Sequence, residues 1–472
     1  MTRLATVEKP ALDGLNSVFD KIPTALARNL AAEVRRLAKE RGLVYVDAGG
    51  KERIIDVKLR PRPLTAEQLA YARRVTRVTM AAMAKVATRY VKDEALQEVL
   101  PLTDDEASWA RSIARHGAPF GGLIVGRLDS NAALSRSDWR ETLKFFELNG
   151  VGIGGLDYVP TVEGIVSEVV LPCLQKFRGG IRLRPPPDLR QQLVRTLQAH
   201  ALGLGVKGAP TIGFLEDKRD KGGTRELAQM TERFRAEGVR VVHVDPRSIS
   251  VKDGKVSYRG GTLDVIYRDT EFCDLVAMKR KGADLKALEK GFREGRIISS
   301  LAGELDHKSL WEVFTDARFQ AIFTSAEREV FKKHMLWTRL LRPTKTVNPE
   351  GKKIDLVDFA KKNASDLVLK PNRSYGGEGV VIGRDATKAE WDKALGEAIA
   401  EPGSCVVQVY GEVSREFFPE LDASGKLRPK EHFVDCGFIQ VGSGFGVLSR
   451  ASTKKIVNIA AGGGIAAVLW RE

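Results

Sequence analysis

The sequence predicts an α+β protein with more than one domain. Its 472 residues exceed what a single hydrophobic core usually covers. Helical periodicity dominates the first part, helices and strands alternate in the middle, and a β-rich stretch comes last. These observations predict a mostly helical N-terminal region at 1–117, a short second part at 118–182, an α/β unit at 183–300 and a final part at 301–472.

The N-terminal region is expected to act as a scaffold. Two long helical stretches surround a short β excursion near residues 43–60. Helix starts are predicted at Thr65, with Gln68 three positions on, and at Thr103, with Glu106 three positions on, because both pairs match a capping box.

The second part contains two predicted strands, "PFGGLIVGRLDS" and "KFFELN", separated by a short helix through "SRSDWRETL". The glycine-rich "GVGIGG" follows the second strand. A helix is predicted from Thr161, and "LRPPPD" marks a break at 183–188.

The α/β unit alternates helices and strands between residues 188 and 270, which predicts an open, partly parallel sheet. Asp253 and Gly254 predict a hairpin turn. The letters "GLGVKG" at 203–208 match a dinucleotide fingerprint, but they follow a helix and precede a strand. We therefore interpret them as a helix-ending loop.

The final part begins with helices around "HKSLWEVFTDARF" and "AEREVFKKHMLWTRLL". A strand, a loop and a second strand follow at "DLVLKPNRSYGGEGVVIG", then a helix and the strand "SCVVQVY". A β-rich stretch is predicted from Glu431 to Trp470.

The net charge of +15 favours small anionic substrates, nucleotides included. Nucleic acid is a weaker prediction, because the basic residues are scattered over solvated helix faces and no zinc-finger or RNA-binding signature accompanies them. The absence of a signal core and of a long apolar run predicts a cytosolic protein. The four cysteines, each far from the next, are expected to be buried small hydrophobic residues and not disulfide partners.

Two short polar patterns predict a metal site. In "GRLDS" Arg127 and Asp129 flank a leucine, and in "FFELN" Glu147 and Asn149 do the same. Residues two apart on a strand share a face, so adjacent strands would gather oxygen ligands and a guanidinium beside a transferring phosphoryl group. Either pair alone fits solvent-facing residues at a strand end. The two together favour a site.

The stretch "LVLKPNRSYGGEGV" predicts a phosphate-binding loop. Lys370 ends an apolar strand, and Gly376, Gly377 and Gly379 let backbone amides approach phosphate oxygens. No Gly-Lys-Ser/Thr follows, so it is not a Walker loop, and an ordinary hairpin is the alternative.

Three further segments are candidates for the same cleft. The backbone of "VVQVY" is a candidate hinge for an adenine, and Arg450 and Asn458 lie in "GVLSR" and "VNIAAGGG". The glycines at 462–464 fit a turn and a binding loop equally well.

Taken in order, "GRLD", "FELN", "LDHKS", "LVLKPNRSYGGEG", "VVQVY", "GVLSR" and "VNIAAGGG" resemble the circularly permuted ATP-grasp proteins, which include the synthetase domain of glutathionylspermidine synthase. The resemblance covers roughly residues 118–472. In this group the metal-binding Glu-x-Asn precedes the nucleotide-binding lysines, as it does here. The resemblance implies a circularly permuted ATP-grasp fold with an inserted, pre-ATP-grasp-like α/β unit.

The resemblance also implies ATP and Mg²⁺ as cofactors and assigns their residues. Magnesium would be held by Asp129, Glu147 and Asn149, the transferred phosphate by Arg127 and Arg450, and ATP by Lys308, Lys370, Tyr375, Gly376, Gly377, Gly379, Gln408 and Tyr410. Arg268, in the recurrent segment "TLDVIYRDTEFCDL", is a substrate contact or a structural salt bridge, and Asn458 is a second substrate candidate.

The implied activity is that of an ATP-dependent carboxylate–amine ligase, with a small-molecule or peptide carboxylate and an amine as partners. No cysteine precedes Cys173, so the amidase of the bifunctional members is not expected. The net charge argues against a polycationic amine, because the long-range field would repel it. The alternative is a nucleotide-binding partner or sensor protein that uses a basic docking surface without catalysis.

Overall fold

The computed structural model describes residues 14–47, 49–115, 122, 124–220, 222–374, 376–459 and 462–472. The N-terminal part combines helices with three strands, as predicted. Its elements are α1 (Asn16–Phe19), α2 (Thr24–Glu40), β1 (Val44–Val46), β2 (Glu52–Ile54), β3 (Val57–Leu64), α3 (Ala66–Tyr90), α4 (Glu94–Val99) and α5 (Asp104–Arg115).

Both predicted capping boxes are present. The backbone amide of Gln68 donates to the Thr65 hydroxyl at 3.2 Å, and the Thr65 amide donates back to the Gln68 side chain at 2.9 Å. Glu106 and Thr103 make the same reciprocal pair, at 2.8 and 3.4 Å. Local sequence therefore fixes where α3 and α5 begin.

The second part supplies two strands of the central sheet. Its elements are β4 (Val125–Ser130), α6 (Trp139–Thr142), β5 (Phe145–Asn149), α7 (Tyr158–Ile165), α8 (Leu171–Phe177) and β6 (Leu183–Arg184). A π-helical turn over Val166–Val170 joins α7 to α8. The residues at 116–121 and 123, at the start of the first predicted strand, lie outside the described part.

The α/β unit contains a parallel sheet in the order β14-β13-β7-β9. Its elements are α9 (Leu189–Gly203), β7 (Ile212–Leu215), β8 (Gly223–Thr224), α10 (Glu226–Ala236), β9 (Val241–Val244), β10 (Ile249–Lys252), β11 (Lys255–Tyr258), β12 (Gly261–Thr262), β13 (Val265–Arg268), α11 (Phe272–Arg280), α12 (Lys286–Arg293) and β14 (Ile297–Ile298).

Two local predictions in this unit are confirmed. Asp253 and Gly254, with φ of +48° and +70°, form the turn of the β10–β11 hairpin, whose tight geometry requires left-handed residues. The "GLGVKG" segment begins where α9 ends, at Gly203, and leads into β7, so it is a helix-ending loop.

The final part holds a small antiparallel sheet and most of the central sheet. Its elements are α13 (Leu310–Thr315), α14 (Ser325–His334), β15 (Thr338–Leu340), β16 (Lys345–Val347), β17 (Lys353–Asp355), α15 (Leu356–Lys362), β18 (Leu367–Pro371), β19 (Val381–Ile382), α16 (Lys388–Ala400), β20 (Cys405–Val409), β21 (Ser414–Leu421), β22 (Leu427–Val441), β23 (Gly444–Ser452) and β24 (Gly464–Arg471).

Two predicted boundaries in this part are wrong. Residues Thr338–Leu340 form a strand and do not continue the preceding helix, because they pair with β20 in the sheet ordered β15-β20-β18-β19. The β-rich stretch begins at Ser414 and not at Glu431, because all of β21 pairs with β22.

The central sheet runs in the order β3-β24-β23-β22-β4-β5, with β21 also paired to β22 and β6 to β24. It therefore contains strands from the first, second and final parts of the chain. One face packs on a core with α3, which includes Val75, Met83 and Leu128. The other face packs on α7 and α9 through a second core that includes Val159, Leu193 and Ile439.

The prediction of four buried cysteines is only partly confirmed. Cys173 and Cys436 are buried, Cys405 is half-buried and Cys273 is exposed, and all four are free thiols. Cys273 is exposed because α11 turns its apolar residues, such as Leu275 and Val276, toward the core. Within the described residues, no helix combines the length and apolar character needed to span a bilayer.

Candidate functional site

The two polar pairs face each other across β4 and β5. In the antiparallel register, Arg127 lies opposite Asn149 and Asp129 lies opposite Glu147. The leucine between each pair points to the buried core on the other face. The period of two thus places all four polar side chains on one face of the central sheet.

Two arginines hold Asp129, which is only 2% exposed. Arg127 donates to both carboxylate oxygens, at 2.6 and 2.9 Å, and Arg450 on β23 donates to one of them at 3.2 Å. Burial alone would raise the pKa of Asp129, but the two guanidinium groups outweigh it and lower the pKa below the usual value. Asp129 is therefore a carboxylate in the folded protein.

Asp435 and Gly437 on β22 complete this face, and sequence reasoning missed both. Asp435 accepts from Arg450 at 2.7 and 3.0 Å. A Cβ atom at Gly437 would lie 2.5 Å from Arg127 Cδ and 2.7 Å from Asp129 Oδ1, so only glycine leaves room for the pair. The sequence does contain a signal for these residues, because "VDCGF" places an acid and a glycine two residues apart on one strand.

Lys308 and Lys370 approach the same face from the final part of the chain. Lys308 Nζ lies 3.3 Å from Glu147 Oε2 and also donates to the carbonyl of Ser374. Lys370 Nζ donates to the Gln408 side chain at 2.7 Å. Burial lowers the pKa of Lys370 to about 8, although the Glu147 carboxylate opposes the shift. Lys370 is half-buried, and an ammonium group there whose hydrogen-bond partner is neutral is well placed to receive an anion.

The glycine loop lies beside these lysines. Gly376, Gly377 and Gly379 all have φ between +70° and +75°, which glycine adopts without strain. The Asn458 amide donates to the carbonyl of Gly376 at 2.6 Å, which joins the two glycine-rich segments. Tyr375 lies outside the described residues.

Gly462 lies in a turn, and Gly463 contacts Asn458. The amide of Gly463 donates to the Asn458 carbonyl at 2.9 Å, and Gly462 has φ of +90°. This geometry fits both interpretations of the 462–464 glycines, since a binding loop also contains such a turn.

The predicted adenine segment is tied into the small sheet. The amides of Val409 and Tyr410 donate to Trp337 and Asp366 carbonyls, at 2.9 and 2.8 Å. The Gln408 side chain donates to the Thr338 hydroxyl at 2.8 Å and accepts from Lys370. These two amides are therefore committed within the sheet, and Gln408 positions Lys370.

Arg268 has a structural environment. It is 0% exposed, forms an ion pair with Glu304, and donates to the carbonyls of Ser299 and Thr270 at 2.9 and 3.0 Å. Of the two roles that the sequence left open, the structure shows the salt bridge.

A cavity of about 580 Å³ lies between the polar face of the central sheet and the parallel sheet of the α/β unit. One side is basic and contains Arg127, Lys308, Arg373 and Arg450. The other side is acidic and was not predicted. Its carboxylates are those of Glu216, Asp217, Asp220, Glu226, Asp269, Glu271, Asp274, Glu304 and Asp306.

The donor set on the basic side fits a hard cation beside phosphate. Glu147, Asn149 and Asp129 offer only oxygen ligands, which suits Mg²⁺ better than a thiolate- or imidazole-preferring metal. Across the described residues, this site included, no three His, Cys, Asp or Glu side chains converge as metal ligands do. A cation here would share Asp129 with its guanidinium partners.

The fold and the cavity define a mixed α/β protein with a central sheet, an inserted parallel sheet and a polar site between them. A solved structure of similar fold is a glutathione synthetase-like effector from Globodera pallida in its apo form. The TM-score is 0.61, the match covers 98% of this chain and 99% of that chain, and the sequences are 13% identical. No protein-family model matches the chain, and no curated protein matches it.

Proposed function

We propose that the protein is an ATP-dependent carboxylate–amine ligase that uses Mg²⁺. The observation that carries this proposal is the register that places Arg127 and Asp129 opposite Asn149 and Glu147. Arg127 and Asn149 of this face line a cavity together with Lys308 and Gly376. The shared fold with a glutathione synthetase-like protein supports the same class.

We further propose that the fold is a circularly permuted ATP-grasp fold. The strands β4 and β5, which carry the candidate metal ligands, come before Lys308 and Lys370 in the chain. They nevertheless lie at the edge of the sheet next to β22, which comes after both lysines.

In the proposed reaction, a substrate carboxylate attacks the γ-phosphate of ATP and gives an acyl phosphate and ADP. The neutral amine then attacks the acyl carbon, the C–O bond to phosphate breaks, and the nitrogen loses a proton as the amide forms. Magnesium, when bound, offsets negative charge on the phosphoryl group. Asp129, Glu147 and Asn149 would hold the ion, and Lys370 and Lys308 would hold the ATP phosphates.

The two arginines have a different role in this proposal. Of the five N–H donors of Arg127, two bind Asp129 and one binds the Gly154 carbonyl at 3.1 Å. The remaining donors can meet the phosphoryl oxygens as charge moves during transfer. Asp129 keeps the guanidinium in place before the substrates arrive.

One observation favours a second candidate, a nucleotide-binding protein without ligase activity. Both oxygens of Asp129 already bind arginines, and Arg450 also binds Asp435, so these charges are balanced without any ligand. Such a protein would bind ATP and would not form an amide.

Product identity separates the two candidates. The purified protein is incubated with ATP, Mg²⁺ and pools of amino acids, amines and small peptides, and ADP, phosphate and condensed products are measured by mass spectrometry. A ligase gives ADP together with a new amide, and Glu147→Gln abolishes both. ATP binding without turnover across all pools would support the second candidate.

A further inference from the structure

The acidic side of the cavity lies where open α/β sheets bind ligands. The parallel strands β7 and β13 end at Leu215 and Arg268, and carboxylates follow both ends immediately. Ligands of such sheets lie in the crevice outside the carboxyl ends of the strands. The position therefore suits a binding site, and its carboxyl groups favour a cationic ligand.

Four of these carboxylates form what we term the acidic wall: Asp269, Glu271, Asp274 and Asp306. Nearby acids have basic partners, such as Asp217 with Arg247 at 2.8 Å and Glu304 with Arg268. Among the described residues, no lysine or arginine forms an ion pair with a member of the wall.

The protonation of the wall reflects this lack of cations. Burial and neighbouring carboxylates raise the pKa of Asp269 to about 7, of Glu271 to about 8 and of Asp306 to about 7. Lys308 and Arg373 act on Asp306 in the opposite direction and do not offset the burial. A bound cation would relieve the repulsion.

Thr270 provides an independent indication of a ligand. Thr270 is only 6% exposed and lines the cavity. Its hydroxyl nevertheless has no hydrogen-bond partner among the described residues. Buried hydroxyl groups normally have a hydrogen-bond partner. A buried hydroxyl at a cavity that lacks one is explained by a ligand that donates or accepts a hydrogen bond there. Thr270 lies between Asp269 and Glu271 in the chain.

The wall also adjoins the proposed transfer site. The amide of Gly150, the residue after Asn149, donates to Asp306 at 2.7 Å. Lys308, which contacts Glu147, lies two residues from Asp306. The carboxylates do not converge tightly enough to ligate a metal ion. An organic cation, whose charge is spread over several N–H groups, matches their spacing better.

We propose that the acidic wall binds the acceptor amine as its ammonium form, with Thr270 as a hydrogen-bond partner. Before the amine attacks the acyl phosphate, the ammonium gives one proton to a carboxylate of the wall. The acceptor role rests on the proposed ligase function, whereas cation binding does not. The wall selects a cationic amine over a zwitterionic amino acid. The carboxylate of the amino acid would lie close to the carboxylates of the wall and would be repelled by them. The wall thus attracts a cationic amine at short range, although the net charge of +15 repels it at long range.

The test uses 1,3-diaminopropane as a cationic probe and glycine as a zwitterionic one, titrated by calorimetry into the full-length protein without ATP. The variants are Asp269→Asn combined with Glu271→Gln, and Thr270→Val alone. A charge-matched control combines Glu94→Gln with Glu397→Gln, two exposed acids far from the cavity. ATP binding is measured on every variant.

The proposal expects the double variant to bind the diamine at least about tenfold more weakly, while the control binds it like the wild type. Thr270→Val should weaken diamine binding by a few fold and leave the melting temperature of the protein unchanged. Equal diamine affinity in the wild type and the double variant, or glycine binding as tight as the diamine, would overturn it. Diamine binding without ATP binding would instead remove the ligase function and leave the cation site.

Discussion

Lys370 is the residue whose protonation should control ATP affinity. Its pKa of about 8 lies below that of an exposed lysine because burial disfavours the charge. The folded protein is therefore destabilised where Lys370 is charged, and this cost is lost progressively as the pH rises from about 8 to the ordinary lysine pKa of 10.5. In the proposed function ATP binds the charged form, so we expect ATP affinity to fall above about pH 8, by up to roughly tenfold per pH unit.

Lys370→Arg should flatten this profile, because a guanidinium stays charged throughout the range. Calorimetric ATP titrations from pH 7 to pH 10 on both proteins measure it. Lys361→Arg, at an exposed helical lysine, serves as the control and should keep the wild-type profile. The same slope in Lys370→Arg and wild type would assign the pH dependence to another group.

Arg127 should affect turnover more than binding. Arg127→Lys keeps a positive charge beside the buried Asp129, so the fold is retained, but the two-pronged contact is lost. We expect the ATP dissociation constant to change by only a few fold, about 1 kcal/mol, while turnover falls by orders of magnitude. ATP calorimetry and ADP release measure the two quantities. Near-normal turnover would make Arg127 a structural residue.

At this scale the sequence predicted the residues that follow a local period. The pairs at 127/129 and 147/149 were found because alternation along one strand is visible in a few letters. Asp435 was missed because its partner Arg450 is fixed by strand pairing. The acidic wall was missed because its members are scattered from 269 to 306 and only the fold brings them together.

At the scale of the element, β22 depends on one glycine. Gly437 lies opposite Asp129 on β4, and an added methyl group would meet Arg127 and Asp129 at less than 3 Å in a well-packed sheet. We therefore expect Gly437→Ala to displace this pair, lowering turnover by at least about tenfold and stability by about 1–3 kcal/mol. ADP release and urea unfolding measure both effects.

Gly396→Ala is the matched control for Gly437→Ala. Gly396 lies in α16, and an added Cβ would meet no atom within 4 Å. Alanine is also a better helix former than glycine, so this variant should be unchanged in activity and up to about 1 kcal/mol more stable. Equal behaviour of the two variants would show that the space at Gly437 is not needed.

Element boundaries were predictable where a cap or a turn sets them, as at Thr65 and at Asp253. Element boundaries were not predictable where pairing with a distant strand determines the secondary structure. The segment Thr338–Leu340 continues an apolar stretch after α14, and only its pairing with β20 makes it a strand.

At the scale of the whole molecule, a buried ion cluster ties β3 to β21. Arg60 and Arg62 bind Glu416 at 2.9 and 2.7 Å, and all three are almost fully buried. Glu416→Gln would leave two buried guanidinium groups without their carboxylate, so we expect it to destabilise the protein by about 3–5 kcal/mol at pH 7.

The same cluster predicts a pH dependence of stability. Despite burial, the two arginines lower the pKa of Glu416 to about 2. The stabilisation is therefore complete above the unfolded pKa, near 4.5, and is lost as the pH falls toward 2. Urea unfolding at pH 7 and pH 3 should show a smaller gap between wild type and Glu416→Gln at pH 3. Glu431→Gln, at an exposed pair, should stay within about 0.5 kcal/mol of wild type.

The parallel pairing of β3 with β24 has a consequence for synthesis. Val57 lies beside Ile465, so a strand made early must wait for one made almost at the end. At typical elongation rates the delay is roughly 20 to 80 seconds. Throughout that time the edge of β3 lacks the strand that pairs with it. The central sheet can close only after translation has passed residue 471.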